Sequence, residues 1–281
     1  MERTIMPELP EVETIARQLR QQIINKVIAR VEILRPDQWH KNLPEQVQLA
    51  LVNQRIYQVQ RRAKFILIQF QSGGNLIIHL RMTGKLIWTP FEPILDKFTR
   101  TIFHFTDGSC LQFNDTRALG WLIYLPEGEQ YVSLLKLGVE PLSQAWKLEH
   151  IQTLCRGSSL AIKLFLMDQN KIAGIGNIYA NEILFRAGIH PERRANTLSD
   201  EEIGKLFYWI PRVLELAVQK MGTTLGNRVS DYRSVFNMEG GFQNILMVYG
   251  REGEPCFQCG QPIVRIKQKD RSSFVCEHCQ H

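Results

Sequence analysis

The chain has 281 residues, 44% hydrophobic and 22% charged, with a formal net charge of +6 and a pI near 9.0; this excludes a disordered or fibrous chain and allows one large or two medium cores. No stretch approaches the roughly 18 apolar residues of a membrane span, and the acids Glu8, Glu11 and Glu13 exclude the basic-then-apolar order of a secretory signal. The basic excess favours a polyanionic partner without naming one.

In chain order, Pro7-Glu8-Leu9-Pro10-Glu11-Val12-Glu13-Thr14 opens an amphipathic helix in which Val12, Ile15, Ala16, Leu19 and Ile23 recur at helical spacing. A proline and acids in the first turn suit the positive end of the helix dipole. Residues 26–125 then read as short strands, at 27–34, 55–61, 64–70, 75–82, 100–105, 109–114 and 119–125. The turns Ser72-Gly73-Gly74-Asn75 and Thr106-Asp107-Gly108-Ser109 join two pairs of them. This pattern predicts a sandwich with the first helix packed on it. Residues 36–52 hold one short helix, and 90–96 form a loop. Near residue 135 the composition changes, and helices are expected at about 147–156, 159–167, 177–187 and 200–221. The last begins at a Ser199/Glu202 capping box and carries a kink at Pro211. Residues 222–250, polar and glycine-bearing, read as a functional loop.

Several clusters stand out along this frame. Gln60-Arg61-Arg62-Ala63-Lys64 leads into an apolar strand, His79-Leu80-Arg81-Met82-Thr83-Gly84-Lys85 ends another, and Asn114-Asp115-Thr116-Arg117-Ala118-Leu119-Gly120-Trp121 precedes a third. Each has a plain structural reading: solvated charge at a turn, methionine as core filler, Leu119 as core packing. Gly174 and Gly176 precede the helix starting near Asn177, where backbone donors favour phosphate, although Gly-x-Gly more often marks a turn. Cys256-x2-Cys259 and Cys276-x2-Cys279 have four-thiolate zinc spacing. They predict one structural zinc ion with no open position for water, in a β-hairpin finger with strands at 262–269 and 272–276. Cys110 and Cys155 read as buried thiols of a reducing compartment.

Taken together and in order, these segments resemble the bacterial formamidopyrimidine-DNA glycosylase family of the Fpg/Nei superfamily, closest to its Fpg branch, over nearly the whole chain from Pro7 to Cys279. The resemblance implies an α+β fold: an N-terminal β-sandwich with flanking helices, a C-terminal helix-two-turn-helix domain, and a β-hairpin zinc finger. The corresponding parts are residues 1–6 as a start-site extension, 7–134 as the catalytic sandwich, 135–250 as the helical DNA-binding domain with a lesion-capping loop, and 251–281 as the finger. It implies a bifunctional DNA glycosylase and AP lyase of base excision repair that removes oxidised purines from duplex DNA through a Schiff base, followed by β,δ-elimination. Pro7 and Glu8 would be catalytic, supported by Lys64 and by Arg271 on the phosphate. His79 and Asn177 would contact phosphates, while Met82, Arg117 and Leu119 would fill the vacated base stack. The partner would be damaged or abasic duplex DNA and not a membrane, with a monomeric, cytoplasmic, nucleoid-associated protein.

Two departures matter. Five residues precede Met6, and if they are retained the Pro7 nitrogen is a tertiary amide with no basic lone pair. Start at Met6, with loss of that methionine, instead leaves a terminal amine of reference pKa roughly 7.7–8.0, a ready nucleophile. Leu119 stands where many members carry phenylalanine, which weakens the opposite-base preference. A glycosylase for oxidised pyrimidines, and a non-catalytic DNA-damage binding protein if residues 1–6 are retained, remain open.

Overall fold

A computed structural model describes residues 6–226 and 231–281. The start-site extension before Met6, and residues 227–230 of the 222–250 loop, lie outside the described residues. Contacts divide the chain into two units, Met1–Leu134 with Lys220–Gln243, and Leu135–Gln219 with Asn244–His281.

The first unit begins with helix α1 (Leu9–Ile23), where Pro10 sits in the first turn and a capping box joins Glu8 to Glu11. Its apolar stripe, Val12, Ile15, Ala16, Leu19 and Ile23, is fully buried. Then follow β1 (Ile28–Ile33), α2 (Pro44–Leu51), β2 (Ile56–Arg62), β3 (Phe65–Phe70), β4 (Asn75–His79), β5 (Gly84–Thr89), β6 (Thr99–Phe105), β7 (Cys110–Asp115) and β8 (Trp121–Leu125). They form two four-stranded antiparallel sheets, ordered β1-β6-β7-β5 and β2-β3-β4-β8. Side chains alternate across each sheet, so Ile66, Ile68 and Phe70 of β3 and Phe103, Phe105, Leu111 and Phe113 of β6–β7 enter one core with α1.

The sandwich has a strand that the sequence pattern does not suggest. Residues 80–83 turn, closed by the Gly84 N–H on Leu80 O at 2.9 Å, so β4 ends at His79 instead of Met82 and β5 starts at Gly84. Residues 115–120 likewise form a loop, and β8 starts at Trp121 instead of Leu119. The segment from Lys220 to Gln243 belongs with the first unit, although the sequence pattern groups it with the helical region. The reason is polar and apolar anchoring: Thr223 N–H reaches Glu11, Val235 N–H reaches the Gln18 side chain, and Tyr232 and Val235 enter the first core.

A short helix, α3 (Val132–Leu135), precedes the second unit, which contains α4 (Leu148–Arg156), α5 (Ile162–Met167), α6 (Asn177–Ala187) and α7 (Asp200–Gln219), then the hairpin β9 (Val264–Gln268) and β10 (Arg271–Val275). Helix α7 starts at the expected box: Ser199 N–H donates to Glu202 at 2.7 Å and Glu202 N–H to Ser199 Oγ at 3.2 Å. It continues through Pro211. Two buried charges hold the rest. The Glu182 carboxylate accepts the N–H groups of Met247, Val248 and Tyr249 at 2.9–3.1 Å and pairs with Arg186 at 2.6 Å. Lys163 donates to Ser272 O and Ser273 Oγ, each at 2.7 Å, anchoring β10 to α5. Among the described residues no helix is long and apolar enough to cross a membrane.

Removing the Glu182 acceptor strands three backbone donors and a guanidinium. Glu182→Ala is therefore expected to cost about 3–5 kcal/mol in urea denaturation, whereas the exposed control Glu201→Ala stays within about 0.5 kcal/mol of the parent.

Candidate active site

The entrance of α1 is built from carboxylates. Pro7 is buried and Glu8 is 2% exposed. Glu11 accepts the Glu8 N–H on Oε2 at 2.8 Å and the Thr223 N–H on Oε1 at 2.7 Å, so one carboxylate fixes both the helix entrance and the returning 222–224 segment. The approach is close: a Cβ on Gly222, whose φ is +80°, would lie 2.6 Å from Glu11 Oε1, which leaves room for glycine only. Two residues on, Glu13 meets Arg17 at 2.9 Å, Arg20 at 3.2 Å and Arg61 at 2.9 Å. Burial would raise the Glu13 pKa, but hydrogen bonds from Arg17 and Arg61 and the charges of Arg61 and Arg20 outweigh it, and the carboxyl stays below its ordinary value.

The Arg61 that pairs with Glu13 also leads into the Ala63-Lys64 turn joining β2 to β3, donating to Ala63 O at 3.2 Å. Across β3, β4 and β8, the register aligns Phe65, His79 and Trp121. The His79 ring is stacked on Trp121 at 5.5 Å with Phe65 edge-on at 4.7 Å, while His40 covers the same tryptophan at 5.3 Å. This burial, with the positive charges of Arg81 and Lys64, lowers the His79 pKa to about 3. Its Nδ1 accepts the Arg81 N–H at 3.0 Å, which puts the proton of the neutral ring on Nε2 as a hydrogen-bond donor.

Met82, Arg117 and Leu119 stand on the β4–β5 turn and the β7–β8 loop. Arg117 Nη1 lies 3.5 Å from Met82 Sδ, so these two side chains meet, and Leu119 is 43% exposed. Buried Asp115 organises both loops. Its carboxylate accepts the Gly120 N–H at 2.7 Å, Gln38 Nε2 at 3.1 Å, the Arg117 N–H at 3.2 Å and the Thr83 hydroxyl, while its carbonyl accepts the Arg100 guanidinium at 2.6 and 2.8 Å. Ala63, Arg81 and Ala118, each directly before Lys64, Met82 or Leu119, adopt φ of 51–52°. Left-handed backbone disfavours residues with a Cβ by about 1 kcal/mol or more and tends to gather at functional loops.

In the second unit Asn177 is the first residue of α6, after a loop in which Gly174, at φ +92°, is braced by Gln169. Gln169 Nε2 donates to Met167 O and Ile175 O, each at 2.8 Å, and its Oε1 accepts the Gly174 N–H at 2.8 Å. Asn177 Oδ1 is a buried atom without a hydrogen-bond partner among the described residues. Arg271 opens β10 just past the turn, half exposed and 3.4 Å from Asp270. The hairpin leans on α6 through the Phe274 N–H on Asn181 Oδ1 at 2.7 Å.

The four cysteine sulfurs of the finger lie within 4.8 Å of one another, with Cys256–Cys279 at 3.9 Å and Cys259–Cys276 at 3.4 Å. Tetrahedral zinc with bonds of about 2.3 Å separates its sulfurs by about 3.8 Å, so this ligand set fits one structural zinc ion and leaves no coordination site open.

Three family profiles match in the order of these parts: the formamidopyrimidine-DNA glycosylase N-terminal domain over residues 6–122, its H2TH domain over 137–228, and the zinc finger found in FPG and IleRS over 253–281. The formamidopyrimidine-DNA glycosylase of Carboxydothermus hydrogenoformans is 40% identical over 98% of this chain and 100% of its own length. The chain belongs to the formamidopyrimidine-DNA glycosylase family. Among solved structures it is similar to the MutM (Fpg) protein of Thermus thermophilus, with a TM-score of 0.86, 36% identity and 98% of each chain covered. It is also similar to Lactococcus lactis Fpg (MutM) in complex with DNA containing N7-benzyl-Fapy-dG, with a TM-score of 0.88, 31% identity, and 98% and 99% covered.

For this glycosylase-family chain, the residues that position the site were harder to find than those proposed to act. Asp115 carried a signal, an Asp opening a turn. Glu11 carries a signal for the helix N-terminus but none for its tie to Thr223, and Gln38 carries none, because those partners lie 212 and 77 residues away.

Two outcomes follow from this geometry. Folded His79 resists protonation that the unfolded chain accepts near pH 6.5, so stability falls as pH drops from there toward 3, by up to about 1.4 kcal/mol per unit. His79→Gln removes that slope, which urea titrations at successive pH values measure. Stripping zinc with a thiol-competing chelator is expected to unfold the finger and abolish tight duplex binding, read by circular dichroism and fluorescence anisotropy.

Proposed function

We propose that this chain is a bifunctional DNA glycosylase and AP lyase that removes oxidised purines, 8-oxoguanine and formamidopyrimidines, from duplex DNA in base excision repair, working in the cytoplasm at the nucleoid. The observation that carries this reading is the Pro7-Glu8 pair, held buried at the N-terminus of α1 by the Glu11 carboxylate, in a chain whose full-length relatives are named formamidopyrimidine-DNA glycosylase.

The nucleophile is the Pro7 nitrogen after loss of residues 1–6. A start at Met6 is supported by the family match beginning at residue 6. The amine attacks C1′ of the damaged nucleotide while the C1′–base bond breaks and the base leaves with a proton. Ring opening gives an iminium at C1′, with Glu8 as the proton-transfer group on the sugar. Loss of the acidified C2′ proton expels the 3′ phosphate, and δ-elimination then expels the 5′ phosphate. Lys64 supplies positive charge beside this chemistry. The Nε2–H of His79, the amide of Asn177 and the guanidinium of Arg271 hold phosphates, which fixes the duplex without reading sequence. Met82, Arg117 and Leu119 occupy the space of the extruded nucleotide; the Arg117–Met82 contact supports their acting as one wedge.

A pyrimidine-directed reading is favoured by one observation besides Leu119: Lactococcus lactis Fpg is also among the matches in complex with DNA containing an oxidised pyrimidine. Borohydride trapping separates these possibilities, using protein started at Met1 or at Met6 with each N-terminus verified by mass. Only the chain beginning at Pro7 is expected to form a covalent adduct, and faster on 8-oxoguanine than on oxidised-pyrimidine duplexes. Equal trapping by intact Met1 protein would remove Pro7 as the nucleophile and point to Lys64; binding without trapping by either form would leave a damage-binding protein.

A further inference from the structure

A cluster of chemically active side chains lies on the other face of the β1-β6-β7-β5 sheet, away from the core. His104 of β6 and Cys110 of β7 are direct cross-strand partners, so their side chains share that face, while the neighbouring Phe103, Phe105 and Leu111 point into the core. Cys110 Sγ and His104 Nδ1 are 3.2 Å apart. The loop between β5 and β6 passes over them, held by Gln112 Nε2 on Ile94 O at 3.1 Å, and brings Glu92 Oε2 to 4.0 Å from His104 Nδ1. One ligand atom from each of Glu92, His104 and Cys110 lies within 4.8 Å of the others. On the far side of the ring, His104 Nε2 is 3.5 Å from Glu32 Oε2 of β1, a carboxylate that also accepts from Arg30 at 3.1 Å. His104 is 6% exposed, and its Nε2 has no hydrogen-bond partner among the described residues.

We propose that Cys110 Sγ, His104 Nδ1 and Glu92 Oε2 form a second metal site, for a zinc-type divalent ion, independent of the four-cysteine finger. One sulfur, one imidazole and one carboxylate match the donors that zinc prefers, and bonds of about 2.3 Å to sulfur and about 2.0–2.1 Å to nitrogen place those atoms about 3.5 Å apart in a tetrahedral shell. A fourth position is left for water. Glu32 takes the role that a carboxylate beside a ligating histidine commonly has: it draws the Nε2–H, fixes the tautomer with Nδ1 free for metal, and satisfies the orphaned nitrogen. A thiol–imidazole hydrogen bond alone accounts for the 3.2 Å contact but gives Glu92 no part. Burial and the Glu92 charge raise the thiol pKa, opposed by Arg30, so without metal Cys110 is a neutral thiol and not an activated nucleophile. Binding releases that thiol proton to solvent. The ion would clamp the β5–β6 loop, with its exposed Phe91, Ile94 and Leu95, onto the sheet.

The test uses the full chain with its finger loaded with zinc. Cobalt is then titrated while sulfur-to-cobalt charge transfer is followed, and total metal per chain is measured by mass spectrometry after gel filtration. The expected result is one further equivalent of metal with a single-thiolate band, lost in Cys110→Ser and His104→Gln. Glu92→Gln alters a side chain that is 80% exposed and so leaves folding intact; it is expected to raise the apparent Kd for cobalt by about tenfold or more. No equivalent beyond the finger in the parent protein, retention of the band in Cys110→Ser, or an unchanged Kd in Glu92→Gln would each overturn the assignment.

Discussion

The Glu11 carboxylate is the constraint on which the proposed chemistry depends. A nucleophile at the end of a chain would belong to the part of a protein that most readily frays, and the residue after the proposed one is tied by a buried acceptor. Glu11 faces inward from the first turn of α1, receives the Glu8 N–H and, from a segment far away in sequence, the Thr223 N–H. The positive end of the helix dipole favours negative charge at this place. Glu13, one residue from Val12 on the same turn, anchors the helix to β2 through Arg61 and thereby couples it to the turn that carries Lys64.

Other buried charged side chains likewise hold irregular or hairpin segments of the chain. Asp115 gathers donors from four parts of the first unit and sets the loop of Arg117 and Leu119. Glu182 gathers three successive N–H groups after the 222–243 segment, and Lys163 holds the backbone next to Arg271. Loops lack the internal ladders of helices and strands, so their backbone groups need other partners when buried. A carboxylate offers several acceptor positions at once and so can fix a whole turn.

Much of this frame was legible in the sequence because it rests on local signals. The apolar stripe of α1, the Gly73-Gly74 and Asp107-Gly108 turns, the Ser199/Glu202 box and the paired cysteine knuckles each state their geometry within a few residues. Strand β5 is not evident in the sequence because Gly84 and Lys85 read as the end of the His79 cluster, which leaves only Leu86-Ile87-Trp88 as a short apolar run before the 90–96 loop. The allegiance of the 220–243 segment to the first unit was illegible for a different reason: it is decided by Glu11 and Gln18, more than two hundred residues earlier, and by the first core. Of the site, the side chains that would touch DNA could be named from motifs, whereas the burial that keeps His79 neutral arises only when β3, β4 and β8 align their rings.

The left-handed residues Ala63, Arg81 and Ala118 bear on how such a protein can be made more robust. Glycine at these positions relieves the Cβ clash, and stabilisation on the order of 0.5–1 kcal/mol is the usual reward where that strain exceeds the added freedom of the unfolded chain. A screen that rewards heat resistance alone would therefore drift toward glycine there. It would also slacken the joints next to Lys64, Met82 and Leu119, so the three positions oppose durability to the stiffness of the loops proposed to meet DNA.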